Sequence, residues 1–220
     1  KLGLDRVQEF LQILGEPHLQ YGVVHVAGTN GKGSTVAMVS RALEDAGYTV
    51  GSYHSPHTSD INERIWIDGQ PIDDIGLADL LEELDRARSE WARTAGIKGE
   101  PLTYFELITC VAFLAFARAG VNIAVIEVGM GGRLDATNVV QPTVVGVTSI
   151  GMDHQAELGD TLAKIATEKA GIFKRGVPAV IGPMDDEATD VFERHAIGLG
   201  CELWKPGPDL KRSYHGGLWT

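Results

Sequence analysis

One stretch constrains the fold more than any other: Tyr21 to Thr35, reading YGVVHVAGTNGKGST. It begins as a run of β-branched and apolar residues, the pattern of a buried strand. It ends as the first turn of a helix, and Gly28, Gly31 and Gly33 lie between. A strand, a glycine-rich turn and a helix N-terminus together form a cradle for phosphate. The glycines permit positive φ and let a polyanion approach the backbone. Lys32 adds a mobile point charge for outer phosphates. The strict pattern G-x-x-x-x-G-K-[ST] is not met. Position 26 is Val, and Gly33 follows Lys32, so hydroxyls come only at Ser34 and Thr35. The alternative is an ordinary glycine-rich turn, and the flanking strand and helix weigh against it.

The rest of the chain alternates strands with helices. Lys1 to Leu14 reads as a helix with Asp5 as N-cap and a stripe of Val7, Phe10, Leu11 and Leu14, ended by Gly15-Glu16-Pro17. A helix over Ser34 to Ala46 turns Val36, Val39, Ala42 and Leu43 inward and stops at Gly47. Thr49 to Ser55 is a strand that Pro56 breaks. Thr58 to Arg64 reads as loop, and Ile65–Ile67 with Pro71-Ile72 as a short hairpin. Helices are expected over 75–94, 104–119, 161–172 and 186–199. Strands are expected over 123–128, 143–150 and 178–181, with another beginning at Cys201 to Trp204. This order implies an α/β fold: a mostly parallel sheet flanked by helices, joined by right-handed crossovers, with a small antiparallel hairpin.

Composition narrows the function classes. Lys plus Arg is 19 and Asp plus Glu is 30, giving a net charge of −11. That balance opposes a role in binding nucleic-acid phosphates, which calls for a basic face. No apolar run in this sequence is long enough to span a bilayer, and no signal peptide is expected. Cys110 and Cys201 are far apart and show no metal-type spacing. Cys110 sits in an apolar helical run as a small core residue. A reduced, cytoplasmic protein is expected, with neither membrane nor nucleic acid as partner.

In sheets of this kind, ligands bind beyond the carboxyl ends of the strands. Those ends deliver the phosphate loop, Ser55, Glu127, and the Asp153-His154 pair. A hydroxyl, a carboxylate and an imidazole beside phosphates suit a divalent cation such as Mg²⁺, although imidazole is an unusual ligand for so hard an ion. Each residue has a bland alternative. Ser55 starts a turn, Glu127 pairs with Arg133, and His154 is a satisfied loop histidine. The GMGG segment at 129–132 fails the dinucleotide pattern G-x-G-x-x-G, since its last position is Leu134.

Six segments occur in one order: HVAGTNGKGST, YHSPH with NERI, LTYFE, EVGMGGRLDATN, SIGMDH and LGDTLAKIATEKAGIFK. Together they resemble the ATP-binding domain of the folylpolyglutamate synthase and dihydrofolate synthase family, within the Mur ligase superfamily of ATP-dependent amide-forming ligases. The resemblance implies a P-loop NTPase-like central domain. It implies that Gly28, Thr29, Asn30, Gly31, Lys32, Gly33, Ser34 and Thr35 hold ATP. It implies Ser55, Glu127 and His154 as Mg²⁺ ligands, with Lys169 as a carbamate on a possible second ion. The bland alternative for Lys169 is a surface helix lysine paired with Asp160 or Glu168. Lys32, His154 and Lys169 then carry the catalytic roles. Leu2, Gly3, Thr103, Tyr104, Phe105, Leu134, Asp135 and Ala136 match segments that contact the pterin-bearing substrate. Phe105 offers a stacking surface there, and Asp135 an acceptor for pterin N–H groups; the alternative for both is a core or loop-fixing residue.

The implied activity adds L-glutamate to the carboxylate of a folate or dihydropteroate through an acyl phosphate, in a protein that is monomeric at full length. The alternatives are another P-loop enzyme, such as a kinase of a small acid, and a non-catalytic nucleotide-binding module. The resemblance also implies a domain layout. Residues 1–204 form the ATP-binding domain and 205–220 end a small-sheet segment. The family's second α/β domain is then absent, so the chain alone is expected to bind nucleotide weakly and not to ligate.

Overall fold

The computed structural model describes residues 3–97, 101–207, 214–215 and 218–219. Its central strand is β1 (Gly22–Ala27), the strand that feeds the glycine loop. On one side β1 pairs in parallel with β5 (Ile123–Glu127), and β5 with β2 (Val50–Tyr53). On the other side β1 pairs in parallel with β6 (Val144–Val147), followed by β7 (Ala179–Ile181) and β8 (Leu203–Trp204). The hairpin of β3 (Ile65–Ile67) and β4 (Gln70–Pro71) joins the β2 edge antiparallel, giving one eight-stranded sheet in the order β4-β3-β2-β5-β1-β6-β7-β8. Asp68 and Gly69 close the hairpin with positive φ of 47° and 70°, the geometry of a tight hairpin turn. Farther on, β9 (Tyr214–His215) and β10 (Leu218–Trp219) pair antiparallel as a separate ribbon.

The two faces of the sheet are covered unequally. On one face α1 (Asp5–Ile13), α3 (Asp74–Ala95) and α4 (Tyr104–Ala119) pack over β2 and β5, around Phe10, Tyr53, Leu84, Phe113, Phe116 and Ile126. On the same face α6 (Leu162–Ala170) and α7 (Asp186–Leu199) cover β6 and β7, around Val145, Ile165, Ile181 and Phe192. The opposite face carries α2 (Lys32–Asp45), whose Val36 meets Val26, Val50 and Val125. Gly51 lets α4 close on the sheet, because a Cβ there would stand 2.6 Å from the Phe116 ring. Cys110 is buried in the core, and burial pushes its thiol far up from its ordinary value.

The helices over 104–119 and 186–199 match their expected bounds. Thr103 and Glu106 close a reciprocal capping box at the start of α4, and Gly120 ends it in the left-handed region. Other expectations are corrected. The N-cap of α1 is Leu4, and Asp5 is already helical, where its charge favours the helix N-terminus. α2 starts at Lys32 rather than Ser34, because Gly31, with φ of 81°, serves as its cap. Ala42 is exposed and Ser40 takes the inward place, bonded to Ser52 Oγ at 2.8 Å. Residues 61–64 are not loop but a 3₁₀ turn (Ile61–Arg64), held by a capping box between Asp60 and Glu63. The strand expected over 143–150 ends at Val147, since Thr148 and Ser149 turn their bonds to the glycine loop. A short unexpected helix, α5 (Gln155–Leu158), precedes α6. Leu2 and residues 208–213 lie outside the described residues.

Candidate active site

The glycine loop is held from below by the strand-end segment 148–151. The Thr29 N–H donates to Ser149 O at 2.7 Å, and Asn30 O accepts from Thr148 Oγ1 at 2.7 Å and Ser149 Oγ at 3.2 Å. Thr29 Oγ1 donates to Gly151 O and accepts from its N–H. Gly28 has φ of 146°, and a Cβ there would fall 1.9 Å from Thr148 Oγ1, so only glycine fits. The chain then enters α2, whose first turn points its N–H groups and the positive end of its dipole outward. Lys32 Nζ rests on Thr29 O at 3.2 Å. Ser34 is exposed, and the Thr35 N–H is already committed to Gly31 O.

Next to this loop stands Glu127, at the end of β5 and 5 % exposed. Its Oε2 accepts from the Ser55 N–H at 3.1 Å and would lie 3.4 Å from a Cβ at Gly33. Burial raises the Glu127 carboxyl above its usual range, opposed by the Ser55 N–H and the charges of Lys32 and Arg64. His54 Nδ1 is 3.8 Å away, but burial lowers the pKa of that imidazole and favours its neutral form. Arg133 bonds Glu168 at 2.9 Å, so it is not the partner of Glu127. The Ser55 hydroxyl is buried without a partner. A bare hydroxyl oxygen beside a buried carboxylate is a donor set suited to a hard cation.

Lys169 is not a surface lysine. It is 4 % exposed and its Nζ donates to Gly28 O at 2.8 Å. Lys164 takes Asp160, and Arg133 takes Glu168, so the two expected partners of Lys169 are engaged elsewhere. Burial, with the Lys32 charge second, lowers the Lys169 ammonium to about 8. His154 sits in the left-handed region with φ of 46°, and its ring is half exposed, 3.7 Å from Asp153 Oδ1. Among the described residues, no three His, Cys, Asp or Glu side chains are drawn together at metal-binding spacing.

On the other side of Ser55 opens a cavity of about 440 Å³. It gathers Gly3, Thr103, Phe105, Leu134, Asp135 and Ala136, all from the expected substrate segments. Tyr104 does not line it; its side chain is 56 % exposed. The loop after β5 closes tightly over the Phe105 ring, since a Cβ at Gly129 would stand 2.4 Å from Phe105 Cζ. Asp135 is buried, with Oδ1 accepting from the Thr137 N–H and hydroxyl and Oδ2 from the Met130 N–H. Burial raises its carboxyl and these bonds oppose the rise. Three charged residues of this wall were not singled out as site residues: Arg6, Arg64 and Glu106. Arg6 bonds Glu106 at 2.9 Å. Arg64 is 7 % exposed, donates from Nε to His57 Nδ1 at 2.8 Å, and leaves Nη1 without a partner. NERI and TYFE carried Arg64 and Glu106, but only the fold shows that they face one cavity.

The family description "Mur ligase middle domain" matches residues 26–215. The dihydrofolate synthase/folylpolyglutamate synthase of Bacillus subtilis is 44% identical over 201 residues, covering 89% of this chain and 46% of its own length. The Mycobacterium tuberculosis folylpolyglutamate synthase, solved with ADP and AMPPCP, superposes with a TM-score of 0.90 at 34% identity, covering 99% of this chain and 51% of that one. The Escherichia coli FolC protein, solved with DHPP and ADP, superposes with a TM-score of 0.89 at 37% identity, covering 100% and 50%. The chain thus spans about half the length of these relatives. On the family match and the identity to these relatives, the chain belongs to the folylpolyglutamate synthase and dihydrofolate synthase family of the Mur ligase superfamily.

Proposed function

We propose that this chain supplies the ATP-binding and acid-binding half of a ligase that adds L-glutamate to a folate or dihydropteroate. One observation carries the reading: Ser55 belongs to both sites. Its N–H holds Glu127 against the phosphate loop, and the same residue lines the cavity of Phe105 and Asp135. An acid bound in that cavity would have its carboxylate beside the γ-phosphate of a nucleotide on Gly28 to Thr35. In-line transfer then gives an acyl phosphate and ADP. The glutamate amine attacks the acyl carbon, the amide forms, and phosphate and a proton leave. In such transfers the protein acts by positioning and charge neutralisation. Lys32 supports the transferred phosphate, and Phe105 and Asp135 receive the pterin ring.

Ser55 and Glu127 would hold Mg²⁺, with His154 as a further ligand. Bound there, the ion would neutralise phosphate charge. Lys169 supports a second reading of its own. A buried amine with its pKa lowered to about 8 has a larger neutral fraction near pH 7, the form that adds CO₂. The product carbamate keeps one N–H, enough to retain the bond to Gly28 O. Its new oxygens would be anionic ligands. The reading also includes a monomeric, cytoplasmic protein, consistent with two unpaired cysteines, and no helix among the described residues is long and apolar enough to cross a membrane.

The test uses a protein that carries this chain at the relatives' length. Phosphate release from ATP should require both glutamate and a folate or dihydropteroate. Release with the acid alone, unaffected by glutamate, would favour a kinase. ATP binding with no turnover under any pairing would favour a non-catalytic module.

A further inference from the structure

Behind the cavity lies a hydrogen-bonded chain that the transfer chemistry does not use. His25, on β1, is fully buried, and its Nε2 is 2.9 Å from Thr137 Oγ1. Thr137 Oγ1 is 2.5 Å from Asp135 Oδ1. The directions follow from the donors. Both Asp135 oxygens already accept backbone N–H groups, from Thr137 at 3.0 Å and Met130 at 2.9 Å. The carboxylate is therefore the acceptor, and the Thr137 hydroxyl must donate to it. That leaves the Thr137 oxygen to accept from His25, so the ring carries its proton on Nε2. Nδ1, buried and without a partner, is then a bare acceptor rather than an orphaned donor.

We propose that His25 is a positioning residue for the acid-binding cavity: through Thr137 it holds the Asp135 carboxylate, and with it the 129–137 loop, in one conformation. A carboxylate gripped at both oxygens cannot rotate away. The same loop carries Met130, Leu134 and Ala136 into the cavity wall. Lys174 secures its far end, donating to Asn138 O at 3.0 Å and Oδ1 at 2.9 Å. Burial keeps His25 neutral, which the Nε2–H tautomer requires. The positioning role in catalysis rests on the reading of the cavity as the acid site.

Two variants and one spectrum test it. His25→Gln places an N–H donor at the same number of bonds from Cβ, whereas His25→Leu fills the space without one. NMR of the ring nitrogens should show the Nε2–H tautomer in the unaltered chain. In a protein of the relatives' length, His25→Leu should weaken dihydropteroate binding about 10-fold, the lower range for losing an orienting partner. His25→Gln should recover most of that loss, and ATP affinity should not change in either variant. The Nδ1–H tautomer, or unaltered dihydropteroate binding in folded His25→Leu, would overturn the proposal. Thr137→Val gives the same decision if His25→Leu does not fold. If the unaltered protein fails to bind dihydropteroate, the acid-site reading falls separately. Hydrogen exchange at the Met130 and Thr137 amides then decides the chain: faster exchange in His25→Leu but not His25→Gln supports it, and unchanged exchange in both refutes it.

Discussion

The phosphate loop and the acid cavity open at the same end of one sheet but are made differently. The loop is eight consecutive residues whose backbone is proposed to hold the phosphates, and its supports are further strand-end hydrogen bonds from 148–151. The cavity is assembled from side chains of separate segments, including Arg6, Ser55, Arg64, Phe105 and Asp135, that meet only in the fold. A site of backbone groups tolerates change at most side chains and fails at its glycines and its lysine. A site of side chains fails wherever one wall residue shifts. Ser55 and Glu127 stand on the seam between the two.

Lys32→Ala is the severest test of this contrast. Among the described residues Lys32 hydrogen-bonds a loop carbonyl, at 3.2 Å, so its loss should leave folding intact. Removing electrostatics aimed at the transferred phosphate should lower turnover roughly 100- to 1000-fold. The same variant should bind the acid substrate normally. Near-normal turnover would remove the phosphate-loop assignment, and a matching loss of acid affinity would show that the two regions are not separable.

The acid limb of stability should separate the regions next. Burial lowers the His25 pKa from 6.5 to about 3, with Lys174 adding to the shift. Between those values the unfolded chain binds a proton that the folded chain refuses, so stability falls as pH falls through this window. At about 1.4 kcal/mol per unit, the loss from His25 alone between pH 6.5 and pH 4 is about 3 kcal/mol. His18 and His54 are lowered by burial as well, so the comparison must be with His25→Gln. Urea unfolding from pH 7 to pH 4 should show the variant losing less stability than the unaltered chain. Parallel curves would mean that the buried imidazole titrates normally.

Gly129→Ala should act on the cavity alone. The added methyl would stand 2.4 Å from Phe105 Cζ and 3.0 Å from Asp135 Oδ2, so the ring or the loop must move. We expect the KM for the acid to rise about 10-fold, corresponding to roughly 1.4 kcal/mol, with the KM for ATP unchanged. Equal changes in both would show that the loop after β5 serves the two sites together.

How far each region can be read from the residues follows from how each is built. Tyr21 to Thr35 is contiguous, so strand, loop and helix announce themselves together. α4 and α7 were legible because a capping box or acidic first turn opens each and a glycine closes each. The inward place of Ser40, the exposure of Ala42 and the early end of β6 were not legible. They depend on what packs across the sheet or bonds to a distant loop. The same holds within the site. A helix-surface lysine stayed open as the bland alternative for Lys169, and its place against Gly28 O shows only in the fold. Arg6 and Glu106 are 100 positions apart, and no local pattern joins them. The six ordered segments named the neighbourhood, but not which face of each segment is used.

Tyr104 shows that last point at the smallest scale. It lies in LTYFE between two residues of the cavity wall, Thr103 and Phe105, yet points outward. It reaches the wall indirectly: the Arg64 guanidinium carbon lies 5.9 Å from its ring centroid. A cation over an exposed aromatic ring is worth about 0.5–1 kcal/mol. Tyr104→Ala should therefore raise the KM for the acid no more than about 5-fold, by loosening Arg64, and Tyr104→Phe should have no effect. A loss beyond that, or a loss in Tyr104→Phe, would place the tyrosine hydroxyl on the substrate. The wall would then have to rearrange when the cavity fills, and the sharp division between a fixed backbone site and an assembled side-chain site would hold only for the empty protein.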